Sequence, residues 1–529
     1  MMDIEELKKA IYLTAQKKFK EAESLYNQLL ADNPEDAVLL SAAGLFYVEQ
    51  KDYDKAVGLL KRACAIKETA GTVSALGFAQ YEQKYYAEAV RTFERALQFD
   101  ENVDIYNKLI LSLFEIKDYK KAIELTEKMK ELFPDNPKTI ANLVKSYTQQ
   151  GKMLEAEKIC IEYLQKHPAE PSLWYHLGLL KELIYSDDLR AIECYKIAGE
   201  QGSPSADYNI AVAYQKIGEY KKAEEHYKKF LQRFPNENTG LISLGMCYLA
   251  QKRFGDGYSL ISAREGGVGE KYTKNLWKPG KSLDKELVII ADQGLGDRIQ
   301  FVRYIPFLNG YNIKIAINDS LRNLFEKNYP DIGFIKYEEI NPDTQALRIT
   351  DLACALNMDF DNIPFADGYL DTKPADIKSD KVKIGLCWEA GSSGRRSMIN
   401  RTINVKSLEP LFDLQNIQLY SFQVNDSFNG NERYKDKMIN LACNFKDFSD
   451  TASALKSMDA VVTVDTCIVH LAGALGIKTA LLLPYSSDWR WFDDEKTTPW
   501  YKSVEIFKQR NPISWEEEIG RIAKKLSQI

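Results

Sequence analysis

One segment near the C-terminus combines residue types that suit the binding of an anion. It reads VDTCIVHLAGALG, follows the apolar run DAVVTV, and has helical spacing of its own. The first turn of a helix offers backbone N–H groups and a partial positive charge, which favour a phosphate. Thr466 can cap this helix or donate its hydroxyl to a phosphate, and His470 follows one turn later. We therefore interpret Asp465, Thr466 and His470 as a phosphate-binding set. A histidine bonded within helix packing is the structural alternative.

A second candidate is the glycine-containing loop DQGLGD, which follows the apolar run ELVIIA. Gly294 and Gly296 permit close approach of a backbone to a ligand, and Gln293 lies beside them as a further contact to a base or sugar. Asp297 would lie at the start of the next helix, where it can act as a general base. A plain helix N-cap is the alternative for this aspartate.

A third candidate is the basic loop EAGSSGRRSMINRT, which also follows an apolar run. Arginine binds phosphate through paired hydrogen bonds. Arg401 is the preferred donor-phosphate ligand because a helix begins just after it. For Arg395 and Arg396, a solvated loop is an equal alternative.

Two aromatic residues and one acidic pair complete the candidates. Trp489 and Trp491 follow the apolar run TALLLP and can stack on a base or sugar, with packing of the fold as the alternative. Asp359 and Asp361 form a DxD sequence in a loop away from the other motifs. Two carboxylates without a placed context are a weak metal signal, so no metal site is predicted.

The elements that must position these residues form a second half of alternating strands and helices. The six predicted strands lie in the runs ELVIIA, IKIAI, IGLCW, IQLYSF, DAVVTV and TALLLP. Strands that alternate with helices predict parallel sheets with covered faces. A split near residues 372–381 indicates two Rossmann-like lobes. Ligands of such sheets bind beyond the carboxyl ends of the strands, so the cleft between the lobes is the expected site.

The first half has a repeat of about 34 residues. Alanine recurs at Ala22, Ala56, Ala89, Ala122, Ala156, Ala191 and Ala223, mostly with a bulky or apolar residue four positions later. This resembles the tetratricopeptide repeat over about residues 3–262, as seven units and a degenerate eighth. Such arrays form a solenoid with a concave face. Docking of a protein segment there is the functional interpretation; a scaffold for the second half is the alternative.

Composition excludes several broad classes of function. The 529 residues include 70 basic and 76 acidic side chains, for a formal charge of -6. This balance argues against a generic nucleic-acid-binding protein. No apolar run approaches the roughly 20 residues that cross a bilayer, and the polar start is unlike a secretory signal. Eight dispersed cysteines form no CxxC pair, so a reducing cytoplasm is the expected compartment.

Taken together, the motifs resemble the tetratricopeptide-repeat glycosyltransferases, whose C-terminal half is similar to the lipopolysaccharide heptosyltransferases and whose layout parallels O-GlcNAc transferase. The resemblance rests on the segments WKPGKSL, ADQGLGDRIQFVRYIPFL, KIGLCWEAG, NRTINVKSLEPL, FSDTASALKSMDAVVTVDTCIVHLAGALG and LLLPYSSDWRW. It implies an α-solenoid over residues 1–265, followed by a GT-B fold. The acceptor-side lobe is expected at 266–375 and the nucleotide-sugar-binding lobe at 376–529.

The resemblance also implies roles for particular residues. Asp297 matches the catalytic base of the heptosyltransferases, and Asp465, Thr466 and His470 match their donor-phosphate segment, with Arg401 as the basic residue of the second lobe. The implied activity is inverting, metal-independent transfer from a nucleotide-sugar to Ser or Thr of a protein held by the repeats. Relatives include flagellin glycosyltransferases that transfer nonulosonic acids. A non-catalytic adaptor and a glycan or lipid heptosyltransferase are the alternatives.

Overall fold

The structure is a computed structural model of the chain. It describes residues 4–264, 271–390, 401–424, 432–492, 496–512 and 514–528. The chain divides into two compact units, Met1–Ala206 and Asp207–Ile529.

Sixteen helices occupy residues 4–262 and confirm the predicted helical-repeat array. In chain order they are Ile4–Ala15, Phe19–Asp32, Ala37–Glu49, Tyr53–Ile66, Ala70–Glu82, Tyr86–Ala96, Val103–Glu115, Tyr119–Leu132, Pro137–Gln149, Met153–Lys166, Pro171–Tyr185, Asp188–Glu200, Ala206–Lys216, Tyr220–Arg233, Asn238–Ala250 and Phe254–Ser262. They form eight helix pairs, and all seven recurring alanines are fully buried.

A small residue on the first helix of a pair meets a large one on the second. A Cβ atom on Gly77 would lie 2.8 Å from the ring of Phe93, and one on Gly178 would lie 2.5 Å from the ring of Tyr195. Phe93 and Tyr195 are the bulky residues four positions after Ala89 and Ala191. The repeat pattern therefore records contacts between paired helices that leave no room for a further methyl group.

The turn inside each pair contains one residue with left-handed backbone, five positions before the recurring alanine. These residues are Lys17, Lys51, Lys84, Lys117, Gly151, Ser186, Gly218 and Lys252. A left-handed residue ends a helix because it points the chain away from the helix axis. The last of them lies five residues before Gly257. The eighth pair therefore keeps the turn of the repeat, with glycine in place of alanine.

The first sheet has four strands, all parallel, in the order β3-β2-β1-β4. The strands are β1 (Glu286–Ile290), β2 (Asn312–Ala316), β3 (Gly333–Ile335) and β4 (Gln345–Arg348). Its connections contain the helices Leu295–Phe301 and Arg322–Asn328, and the short helix Leu352–Ala355 follows β4. A 3-10 helix, Val302–Leu308, continues the first of these.

The second sheet has seven strands in the order β10-β11-β9-β8-β5-β6-β7. The strands are β5 (Val382–Cys387), β6 (Ile417–Ser421), β7 (Ile439–Asn440), β8 (Ala460–Val464), β9 (Thr479–Leu483), β10 (Thr497–Thr498) and β11 (Tyr501–Lys508). All pairs are parallel except β10 with β11. The associated helices are Glu409–Phe412, Phe448–Lys456, Cys467–Ala474 and Glu516–Leu526. All six predicted strands are present, so the prediction of parallel sheets is confirmed.

The last helix pair shares a hydrophobic core with the sheets of its unit. Phe254 stacks on Trp500 with ring centroids 5.7 Å apart, and Tyr258 lies 6.0 Å from Phe301. The hydroxyl of Ser262 donates to the buried carboxylate of Asp351 at 3.0 Å. This packing explains why the compact second unit begins at residue 207, among the helices, while the array itself ends at Ser262.

Candidate functional site

The loop after β1 leads directly into the helix Leu295–Phe301. Gly294 is the N-cap residue of this helix, and no side chain caps it. Asp297 is the third helical residue, and its carboxylate pairs with Arg490. The capping alternative for Asp297 is therefore not what the structure shows, and its carboxylate faces residues that follow β9.

The loop after β8 leads into the helix Cys467–Ala474 in the same way. Thr466 is its N-cap residue, and its side-chain oxygen accepts from the backbone N–H of Ile468 at 3.2 Å. The same oxygen lies 3.5 Å from the hydroxyl of Thr463. Thr466 thus has the predicted capping role, and it presents a half-buried hydroxyl at the start of the helix.

The starts of these two helices are in direct contact. A Cβ atom on Gly296 would lie 2.8 Å from His470 Cδ2 and 3.7 Å from Cys467 Cα. Only a residue without a side chain allows the two helices this approach. The structure therefore places Gly296, which follows β1, against His470 and Cys467, which follow β8. The predicted cleft between two lobes stays a prediction.

Arg490 connects the two sides through all three nitrogens of its guanidinium. Nη2 donates to Asp297 Oδ1, Nε donates to Gln300 Oε1 at 2.7 Å, and Nη1 donates to Asp488 Oδ1 at 2.7 Å. Burial opposes its charge, but Asp488 and Asp297 outweigh burial and raise the pKa of Arg490. The side chain of Arg490 is therefore a fixed cation, held by residues of both sheets.

Arg401 forms a second ion pair beside the first. Its Nη1 donates to Asp465 Oδ2 at 3.1 Å, and its side chain is 21% exposed. Burial raises the pKa of Asp465, although Arg401 opposes the change. Asp465 was predicted to bind phosphate. The carboxylate contacts Arg401 in the structure, and phosphate binding by this segment stays a prediction.

His470 is packed as a neutral side chain. Its Nδ1 lies 3.0 Å from the Tyr501 hydroxyl, and its ring stacks on Trp491 with centroids 5.5 Å apart. Burial and the surrounding arginines lower the pKa of His470 well below its ordinary value. These contacts fit the alternative of a histidine bonded within the packing, and phosphate binding by His470 stays a prediction.

The two tryptophans lie in the core and not on an open surface. Trp491 is fully buried against His470, and Trp489 is 6% exposed, with ring contacts to Phe254 and Trp500. Neither ring presents a face on which a base or sugar can stack. The packing alternative therefore describes both residues.

Gln293 and Gly294 differ in their relation to Asp297. Gln293 contacts neighbours in its own segment: its carbonyl accepts from Arg298 Nε at 2.5 Å and its side chain lies 3.4 Å from Asp292. Gly294 is exposed, and a Cβ atom there would lie 3.2 Å from Asp297 Oδ2. Gly294 thus borders the carboxylate directly, and Gln293 does not.

A buried arginine fixes the position of the strand that supports His470. Arg303, in the 3-10 helix Val302–Leu308, donates to the carbonyls of Trp500 at 3.1 Å and Pro364 at 3.2 Å. Its side chain is fully buried beneath the ring of Tyr369. Because Trp500 immediately precedes Tyr501, Arg303 holds the partner of His470 against this 3-10 helix.

The sequence analysis did not single out Arg490, which the structure places against Asp297. A signal for it is its place in the loop after the carboxyl end of β9, between Trp489 and Trp491.

Arg395 and Arg396 lie outside the described residues. Asp359 accepts from the backbone N–H of Phe360 at 2.7 Å in a short turn, and Asp361 is exposed. Among the described residues, no three or more His, Cys, Asp or Glu side chains are grouped as a metal site.

Comparison with known proteins identifies the helical array. Models described as tetratricopeptide repeat match residues 13–68 and 205–237. The protein FlbA of Caulobacter vibrioides is 22% identical over 451 residues, which cover 74% of this chain and 73% of FlbA. The helices at residues 4–262 therefore form a tetratricopeptide-repeat array, and this family supports a protein-binding role for it.

Solved structures with some likeness to the chain are also repeat proteins. Yeast Tom70 aligns with a TM-score of 0.41 at 20% identity, over 46% of this chain and 54% of Tom70. A tetratricopeptide repeat protein from Parabacteroides merdae aligns with a TM-score of 0.41 at 14% identity, over 46% of this chain and 97% of its own. The chain thus spans about half the length of Tom70. No helix among the described residues is long and apolar enough to cross a membrane.

Proposed function

We propose that the protein is a glycosyltransferase that moves a sugar from a nucleotide-sugar to a serine or threonine of a protein bound by its repeats. The observation that carries this proposal is the contact of Gly296 with His470, which brings Asp297 next to the Thr466-capped helix. The resemblance of the same segments to heptosyltransferases supports a GT-B arrangement of the two parallel sheets. The array supports a protein as the acceptor.

The proposed reaction gives a role to charged groups on the helix after β1 and near the helix after β8. Asp297 takes the proton from the acceptor hydroxyl as its oxygen attacks the anomeric carbon of the sugar. The bond from that carbon to the nucleotide phosphate breaks, and its electron pair remains on the phosphate oxygen. Attack opposite the leaving group inverts the anomeric centre.

The departing phosphate requires positive charge. We propose that Arg401, which pairs with Asp465, and the helix N-terminus at Thr466 stabilise it, whereas His470 contributes by packing. Preorganised donors aimed at developing charge lower a barrier strongly in a site that excludes water. The resemblance implies no required metal, so transfer should persist in excess EDTA.

Replacing Asp297 with Asn tests the proposed base. The amide keeps the size of the side chain and cannot accept the proton, so we expect a loss of transfer of about 10²–10⁴-fold with donor binding retained. Transfer would be followed by mass spectrometry of the acceptor, and donor binding by calorimetry. Asp361→Asn, which changes an exposed aspartate of the same lobe, is the control and should have normal turnover. Full turnover in Asp297→Asn would exclude the base assignment.

A panel of UDP-, GDP-, CMP- and ADP-sugars identifies the donor. A ligand that binds only the native state raises the melting temperature, by an amount that grows with its concentration over its Kd. We expect one nucleotide class to stabilise the wild-type protein and to lose most of this effect in Arg401→Gln. If no donor gives a shift, a non-catalytic repeat adaptor becomes the better interpretation.

A further inference from the structure

Arg490 comes from the segment after β9, whereas the proposed base Asp297 comes from the helix that follows β1. It lies 193 residues from Asp297 in sequence, and it is the residue in contact with the Asp297 carboxylate. Its other two nitrogens are bound to Gln300 and Asp488, both at 2.7 Å. Its backbone carbonyl accepts from Trp500 Nε1 at 2.9 Å, so the main chain is fixed as well.

The two oxygens of Asp297 have different surroundings. Oδ1 accepts from Arg490, and Oδ2 lies toward the exposed Gly294. A Cβ atom at Gly294 would lie 3.2 Å from Oδ2, which is closer than most Cβ contacts. A side chain at position 294 would therefore crowd Oδ2, while Arg490 occupies Oδ1; the Asp297 side chain is 28% exposed.

We infer that Arg490 is a positioning residue for the base: it holds Oδ1 of Asp297 from the opposite lobe, so that Oδ2 is the oxygen that accepts the proton. This inference rests on the proposed transferase function and deepens it. Arg490 is bound through each of its guanidinium nitrogens and is 14% exposed, which suits a fixed support. Asp488 accepts from Nη1 of Arg490 and thereby holds the guanidinium in place.

The burial of the Arg490 guanidinium also bears on the orientation of Asp297. A cation enclosed by protein requires anionic partners, and removal of one partner leaves an unpaired buried charge. Asp297 and Asp488 are those partners, and each comes from a different lobe. The base is therefore present in its functional orientation only when the loop after β9 lies against the helix that begins after β1.

The test compares Arg490→Gln and Arg490→Lys with the wild-type chain in the transfer assay. We expect Arg490→Gln to lower kcat by about 10–100-fold, because a mobile base loses much of the advantage of orientation. The donor KM should stay within about twofold, since an interaction that acts on the transition state changes kcat first. Arg490→Lys keeps a cation at the carboxylate and should recover a large part of the loss.

Three further variants separate positioning from folding. Arg322→Gln removes a carboxylate-paired arginine elsewhere, 2.7 Å from Glu326 in the helix Arg322–Asn328, and should leave kcat unchanged. Gly294→Ala places a methyl group beside Oδ2 and should lower kcat without lowering the melting temperature. Gly255→Ala is its control, because a Cβ there meets nothing within 4 Å.

The possible results are distinct. Absence of transfer by the wild-type chain with every donor would remove the proposed function, and with it the inference. Normal transfer by the wild-type chain together with unchanged kcat in Arg490→Gln would overturn the inference alone. A folded Arg490→Gln variant with a raised donor KM and normal kcat would make Arg490 a donor ligand and would also overturn it.

Discussion

At the scale of single residues, the absence of a side chain at position 296 is as informative as the charge at position 297. Gly296 has no backbone need for glycine, since its φ is not positive. Its need is for space, because the imidazole of His470 lies where a methyl group would be. The neutral, stacked His470 provides a flat surface that the helix Leu295–Phe301 can approach closely.

Replacing Gly296 with Ala tests this contact. The added methyl group would lie 2.8 Å from His470 Cδ2, and neither the histidine nor Cys467 can move without disturbing the stack on Trp491. We expect a loss of about 1–3 kcal/mol in the free energy of unfolding, as for other overpacked sites. Urea unfolding of the full chain measures it.

Gly520→Ala is the matched comparison for that experiment. It lies in the helix Glu516–Leu526, and its Cβ would meet nothing within 4 Å. Alanine favours a helix more than glycine does, so this variant should be as stable as the wild type or slightly more stable. Equal stability of Gly296→Ala and Gly520→Ala would contradict the space argument.

The sequence predicted some of these residues and not others, for a physical reason. Asp297 and Thr466 each follow an apolar run and open a helix, so the local pattern places them at strand ends that meet. Arg490 was not predicted because its contact with Asp297 joins residues that lie 193 positions apart in sequence. The neutrality of His470 depends on Tyr501 and Trp491, which no local pattern connects to it.

At the scale of elements, a buried group of charges joins the last repeat helix to the first sheet. Asp351 accepts from Ser262 at 3.0 Å and pairs with Arg264 at 3.3 Å, and Arg348 at the end of β4 lies 3.6 Å from it. Burial outweighs both arginines and raises the pKa of Asp351 to about 6. The folded chain thus holds a proton there at pH values where the unfolded chain, with a pKa of about 3.9, has released it.

This difference predicts a stability that depends on pH. The stabilisation by the protonated carboxyl is complete below pH of about 3.9 and is lost as the pH rises through about 6. Asn resembles the protonated acid and does not titrate. The free energy of unfolding of Asp351→Asn should therefore rise relative to that of the wild type, by up to about 3 kcal/mol, as the pH increases from 4 to 7. Denaturant unfolding at a series of pH values measures the gain. Asp361→Asn, an exposed change, should show no such trend, and a constant offset for Asp351→Asn would exclude the linkage.

The repeats themselves were the most predictable elements. The alanine spacing, the bulky residue four positions later and the left-handed turn all describe local contacts between neighbouring helices, so one sequence pattern contains them. The strands were predictable for a similar reason, because each is a short apolar run bounded by loop residues. The segment Val302–Leu308 is a 3-10 helix that contains Pro306, which has no backbone donor.

At the scale of the whole molecule, the compact units do not follow the border between repeats and sheets. The last helices pack on the sheets through Phe254, Tyr258 and Ser262. A fragment of residues 207–529 should therefore fold with a cooperative transition. A fragment of 263–529, which exposes Trp489, Trp500 and Phe301, should aggregate or melt at a much lower temperature. Equal melting temperatures of the two fragments would show that the helices contribute nothing to that core.

Because the final helices are shared with the sheets, the repeats are not a uniform series in which any member can be exchanged. Units could be added, deleted or replaced upstream of residue 207 without disturbing the core that the last helices share with the sheets. The terminal pair has no such freedom, since its inner face is already occupied. An engineer who wishes to redirect the protein to a new target would graft foreign repeats ahead of Asp207 and retain everything after it.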